Sequence, residues 1–247
     1  KDIEEELSKD SKASHETKQI VSALFGAADS WGIFSKTLEG TEITDLITAG
    51  TTTILDTSVY SSISSFNVRA LVISIVSRKL FSLRMDARKK EEIESITSQE
   101  YLSYKSYKEL PLIWLFVDEA HEYLSKDEKT PATDALVQLL REGRQPGISL
   151  VLATQQPGKI HSDVLTQSDL VISHRVTSKQ DIEALNEIMQ TYVLENIRKQ
   201  IDDLPSAKGS AVILDDNSER LYPIKVRPKF TWHGGEAPAA VKAEIQF

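Results

Sequence analysis

The hydrophobic pattern changes character twice along the chain. Over residues 1–25, Ile3, Leu7, Ile20, Val21, Leu24 and Phe25 recur among charges at helical spacing and predict a helix. A turn-rich patch runs from Gly26 to Gly40. The stretch 41–50 predicts a short helix closed by Gly50. TTTILDTS at 51–58 is β-branched and apolar and predicts a strand, followed by a serine-rich break at 61–65. Residues 66–85 space Phe66, Ala70, Ile73, Val76, Leu80 and Leu83 as the face of a long helix. Residues 86–110 are charged and polar, with Tyr101, Tyr104 and Tyr107. They have no strong core face and predict an exposed helical extension or insertion.

From residue 111 the pattern alternates. LIWLFVD at 112–118 is continuously apolar, the signature of a strand buried on both faces of a parallel sheet. A helix is expected over 131–143, with Pro131 in its first turn and Gly143 near its end. ISLVLAT at 148–154 and DLVISHRV at 169–176 predict two more strands. A helix over 178–189 starts at Ser178, with Asp181 three residues on. GSAVIL at 209–214 and RLYPIKV at 220–226 predict a closing hairpin, and the tail from Pro228 an extended arm. Strands alternating with helices imply an α/β fold with a mostly parallel, helix-flanked sheet. The expected division is a helical segment at 1–50, an α/β core at 51–226 and an arm at 227–247.

Composition narrows the chemistry. The 247 residues include no cysteine, so disulfides, zinc–thiolate sites and cysteine nucleophiles are excluded. No apolar run approaches the length of a membrane span, and a cytoplasmic location is the default expectation. The polar opening KDIEEELSKD does not read as a signal peptide, and a start at Lys in place of Met suggests a fragment or a chain whose start was removed. A net charge of −8 argues against wholesale coating of nucleic acid. It leaves room for a local basic patch, and Arg78, Lys79, Arg84, Arg88, Lys89 and Lys90 form the one candidate, interleaved with Glu91, Glu92 and Glu94.

The strongest chemical signal is PLIWLFVDEAH at 111–121. Ligands of open α/β sheets bind at the carboxyl ends of strands. Asp118 and Glu119 stand at the end of the most apolar strand in the chain. An acid there holds Mg2+ on a nucleotide, and a second carboxylate beside it polarises the attacking water. That is the form of a Walker B motif. The phosphate-cradling G-x-x-x-x-G-K-[ST] is absent, and Lys208-Gly209-Ser210 is a turn into a strand. Asp56 reads as a structural or capping residue, and His121 as packing or capping.

An ordered series of motifs goes further. VDEAHEYL at 117–124, LLREGRQPGISLVLATQQP at 139–157, DVLTQSDLVISHRVTSKQDIEAL at 163–185, Leu204-Pro205 and Gly209-Ser210-Ala211 follow one another. With ITDLITAGTTTILDTS at 43–58, the series resembles the C-terminal half of the HerA-type ATPases, of the HerA/FtsK class of hexameric DNA pumps. The resemblance covers most of residues 41–226. It implies a RecA-like P-loop core whose phosphate loop lies upstream, with ATP and Mg2+ as cofactors. It assigns Asp118 to Mg2+ and nucleotide, Glu119 to catalysis and Gln155 to sensing the γ-phosphate. Arg144 matches an arginine finger that reaches a neighbouring subunit, with Arg141 a competitor on the same helix face, and Arg175 matches a nucleotide or subunit contact. The resemblance also implies a hexameric ring, double-stranded DNA as substrate and a nuclease partner. A degenerate, non-catalytic docking module and a conjugation or secretion motor are the alternatives.

Overall fold

A computed structural model describes residues 2–35, 40–60, 67–97, 110–188, 201, 203–205, 207–218 and 220–231. The chain divides into two compact units, 1–167 and 168–247. The first opens with helices α1 (Asp2–Lys9) and α2 (His15–Asp29). The single helix expected over 1–25 is broken because Asp10 Oδ1 accepts from Lys12 N (2.8 Å) and Ser14 Oγ caps α2 by accepting from Thr17 N (3.1 Å). The apolar stripe of α2 buries nothing, and Ile20, Leu24 and Phe25 are exposed.

The strand expected at 51–58 does not form. A 3₁₀ turn spans Ile43–Leu46, Gly50 adopts a φ of 75°, and an irregular segment leads to a second 3₁₀ turn at Ser58–Tyr60. A β-branched run becomes a strand only beside another strand, and among the described residues none pairs with it. Side chains hold this segment instead: Thr53 Oγ1 donates to Leu46 O, and Asp56 Oδ1 accepts from Ser58 N at 2.9 Å. Those hydrogen bonds from Ser58 hold the Asp56 carboxyl below its usual range.

Helix α3 (Val68–Thr97) runs on without a break into residues 86–97, the described part of the expected helical extension at 86–110. Its face continues through Arg84 and Ala87, both buried, to Glu91, whose side chain is 15% exposed. The three tyrosines at 101, 104 and 107, the serine break at 61–65 and His233-Gly234-Gly235 lie outside the described residues.

The core follows. Strand β1 (Ile113–Val117) pairs in parallel with β2 (Ile148–Leu152), residue 113 opposite 148 through 117 opposite 152. Between them lies α4 (Thr133–Glu142), shorter than the helix expected at 131–143. One face of this pair packs on α3 and α4 through Ile113, Leu115, Val117, Ile148 and Leu150 with Leu80, Leu136 and Leu139. Leu136→Ala is expected to cost about 2–5 kcal/mol, measurable as a lowered denaturant midpoint with an unchanged m-value, because Leu136 is fully buried.

The other face departs from the expectation of a strand buried on both sides. Trp114 and Phe116 are 66% and 68% exposed, with their rings stacked at 6.3 Å. Side chains of a strand alternate, and the helices cover only the face that carries Ile113, Leu115 and Val117.

The second unit contains β3 (Leu170–His174), α6 (Lys179–Ile188), β4 (Ser210–Asp215) and β5 (Arg220–Lys225). The expected hairpin is β4–β5, and β3 adds to β4 antiparallel. Gly209 adopts φ 89° at the entry to β4, the turn expected at 208–210; a side chain there would meet Val226 O at 2.7 Å. The short helix α5 (Ser162–Thr166) ends the first unit. No described helix is long and apolar enough to cross a membrane.

Candidate functional site

Because β1 and β2 are parallel, their carboxyl ends lie side by side. The chain leaves β1 through Asp118 and Glu119 and leaves β2 through Ala153, Thr154 and Gln155. Two backbone hydrogen bonds extend the ladder past the strands: Ala153 N donates to Val117 O and Ala120 N to Ala153 O, both at 2.9 Å.

Glu119 is the one non-glycine residue among those described with a positive φ (48°, ψ 45°). The left-handed conformation costs a residue with a side chain about 1–2 kcal/mol. Local bonds offset the strain. Asp118 Oδ1 accepts from Glu119 N at 3.0 Å, Glu122 N donates to Glu119 O at 2.9 Å, and Ala120 is fully buried beneath. The turn is fastened further down, where Thr130 and Thr133 both donate to Tyr123 O, at 2.8 and 3.0 Å.

This turn lays the Glu119 carboxylate against the end of β2. Gln155 Nε2 donates to Glu119 Oε1. Glu119 Oε2 is buried, receives no hydrogen bond and lies 3.5 Å from His121 Nδ1. His121 is held by the residues on both sides of Gln155: Nδ1 is 3.0 Å from Thr154 Oγ1 and Nε2 is 3.1 Å from Gln156 Nε2. With the Gln156 amide donating to Nε2, the imidazole proton sits on Nδ1 and faces Thr154 and Glu119. Sequence reasoning placed His121 among packing residues and passed over Thr154 and Gln156. Their signal was the polar run Thr154-Gln155-Gln156 directly after an apolar strand.

Asp118 is exposed at the same edge, with Oδ1 engaged by Glu119 N. Among the described residues no group of three His, Cys, Asp or Glu is arranged to enclose a metal ion. One exposed carboxylate with a free oxygen, beside a half-exposed acid whose Oε2 receives no hydrogen bond, fits Mg2+ delivered on nucleotide phosphates, not a protein-only cage.

Arg144 sits elsewhere. It follows Gly143 and precedes β2, so it is exposed at the amino edge of the strand pair, whereas Glu119 and Gln155 sit at the carboxyl edge. Five strand residues separate the two edges, about 17 Å. Its competitor Arg141 is engaged, with Nη2 2.6 Å from Asp163 Oδ2. Arg175 follows β3 in the second unit. Of the assigned residues, then, the fold gathers Asp118, Glu119 and Gln155.

The basic patch is also smaller than its sequence suggested. Arg84 is buried, and Arg88 pairs with Glu91 (3.3 Å) and Glu92 (3.2 Å), which leaves Arg78, Lys79 and Lys89 exposed without such pairs among the described residues.

Residues 100–218 match the family described as Helicase HerA-like C-terminal. That stretch resembles a HerA-type C-terminal region. Among curated relatives, the HerA-like chain is 30% identical over 144 residues to the DNA double-strand break repair helicase HerA of Pyrococcus furiosus, covering 56% of the chain and 24% of that protein. It is 27% identical over 187 residues to the protein of the same name from Sulfurisphaera tokodaii, covering 69% of the chain and 36% of the relative. The HerA-like chain thus spans about a quarter to a third of these relatives. Among solved structures, it is similar to the genome packaging NTPase B204 of Sulfolobus turreted icosahedral virus 2 in complex with AMP, at 25% identity over 45% of the chain and 52% of B204, with a TM-score of 0.38. The HerA-like match includes the Glu119 turn, the Arg144 loop and Gln155.

Proposed function

We propose that this chain carries the water-activating half of an ATP-hydrolysing, ring-forming DNA translocase or helicase of the HerA type. The observation that carries the reading is the Glu119 carboxylate, locked in a left-handed turn against Gln155 at the carboxyl edge of a parallel strand pair. Glu119 is the base that orients and polarises water, and Gln155, already hydrogen-bonded to it, is placed to contact the terminal phosphate. Asp118 supports the Mg2+ of the nucleotide, and the ion supplies charge neutralisation at the phosphates.

The position of Arg144 supports action between subunits. At the opposite strand edge it is out of reach of its own Glu119, so it serves a neighbour's nucleotide, as a ring allows. DNA as the substrate comes from the relatives, which are named DNA double-strand break repair helicases. A DNA-stimulated ATPase assay on the native full-length protein tests the reading, and absence of any ATP turnover would sink it.

The 247 residues contain no phosphate-binding loop. The polypeptide by itself is therefore expected to bind ATP weakly. Titration calorimetry on residues 1–247 checks this, and a sub-micromolar affinity would contradict it. The missing loop also favours a second reading, a non-catalytic docking module. A G-x-x-x-x-G-K-[ST] encoded upstream of Lys1 would remove that alternative.

A further inference from the structure

Arg84 is a fully buried cation in the middle of a helix whose buried face otherwise carries apolar side chains and two serines, Ser74 and Ser77. A buried guanidinium persists only where its donors are satisfied. Arg84 Nε donates to Pro146 O at 2.8 Å, and Nη1 donates to Leu110 O at 2.9 Å and lies 3.3 Å from Glu91 Oε1. Glu91 in turn holds Arg88. Two of these contacts grip the backbone just ahead of the strands: Leu110 leads into β1, and Pro146 leads into β2.

The segment gripped is the one that bears Arg144. Residues 143–147 form a closed loop in which Gly147 N and Ile148 N both donate to Gly143 O, at 3.1 and 2.8 Å. Gly143 has no room for a side chain, because a Cβ would stand 2.4 Å from Leu139 O and 2.8 Å from Ile148 O. Gly147 has a φ of 79°, and a Cβ there would meet Leu112 Cδ2 at 2.4 Å. Pro146 is fully buried. The loop is thus pinned at both ends and at its base, with Arg144 and Gln145 its exposed residues.

We propose that Arg84 is a positioning residue for Arg144: by holding the Pro146 carbonyl from α3, it fixes the loop that presents Arg144 outward. This rests on the reading of Arg144 as a finger acting on a neighbouring subunit. A planar fork that spans two carbonyls and a carboxylate is not reproduced by lysine.

The first test uses the chain itself. Arg84→Met is expected to raise amide hydrogen exchange at Gly147 and Ile148 by about tenfold or more, with amides at the carboxyl ends of β1 and β2 unchanged. Should Arg84→Met unfold the chain, Arg84→Lys and Glu91→Gln are expected to loosen the same loop in a folded protein. Unchanged exchange in the folded variants would overturn the proposal.

The second test uses the assembled full-length ATPase. Arg84→Lys is expected to lower kcat about a hundredfold with KM for ATP unchanged. Mixing with Glu119→Gln subunits, which bring an intact Arg144 loop, should restore turnover. Unaltered kcat, or a loss that mixing does not relieve while Arg144→Ala is relieved, would overturn it. If Arg144→Ala itself is not relieved by mixing, the finger reading fails, and the exchange result separates that failure from one in the loop.

Discussion

Glu119→Gln in the assembled, full-length ATPase is expected to lower ATP turnover by about a hundred- to ten-thousandfold while nucleotide binding persists. The substitution removes the charge and basicity of the carboxylate and little else. A glutamine keeps an oxygen that accepts from Gln155 Nε2, so the contact between the ends of β1 and β2 survives. The left-handed backbone of residue 119 is set by the Asp118 carboxylate, the Ala120–Ala153 hydrogen bond and the buried Ala120, none of which the change touches. Asp118 stays available to the cation. Phosphate release under steady state gives the loss, and a binding titration gives the retained affinity. Normal turnover in the variant would mean that Glu119 is not the water-activating group.

Arg144→Ala is expected to reduce turnover by about a thousand- to hundred-thousandfold, the range for removal of a finger that stabilises charge on the transferring phosphoryl group. The edge-to-edge separation of Arg144 from Glu119 makes a sharper prediction than the loss itself. An Arg144→Ala subunit retains a competent Glu119 site, and a Glu119→Gln subunit retains a competent Arg144. Rings mixed from the two should recover part of the activity that neither has alone. No recovery would argue that Arg144 does not act across a subunit boundary. Arg141→Ala is the internal comparison: its guanidinium, on the exposed side of the pair, is spent on Asp163. The variant should therefore lose far less turnover than Arg144→Ala.

The two variants probe opposite ends of one structural unit, and the fold explains why they are separable. A parallel pair places every strand's carboxyl end on one edge and every amino end on the other. Asp118, Glu119 and Gln155 leave the carboxyl edge, and the glycine-closed loop bearing Arg144 enters at the amino edge. Arg84 ties that amino edge to α3. At the other end of α3, Arg69 Nη2 lies 3.1 Å from Glu122 Oε2, in the turn that follows Glu119. One helix therefore contacts both the carboxylate turn and the arginine loop.

The sequence by itself determined the α/β class, the closing β4–β5 hairpin and the carboxylates at the strand end. Each rests on local information: an apolar run, a turn residue, an acid directly after a strand. The motif series also grouped Glu119, Arg144 and Gln155 as one expected functional set. Tertiary structure alone decided the rest. Residues 51–58 have every local attribute of a strand but find no partner strand among the described residues, and pairing is a non-local property. Trp114 and Phe116 belong to a continuously apolar run, yet the helices cover only one face, so hydrophobicity could not report their exposure. Arg84 looked like a member of a basic surface because charge is read residue by residue. Its burial depends on Pro146, 62 positions away in the chain. The separation of Glu119 from Arg144 follows from the parallel pairing of β1 and β2, and it is the geometric basis for proposing that Arg144 acts on a neighbouring subunit.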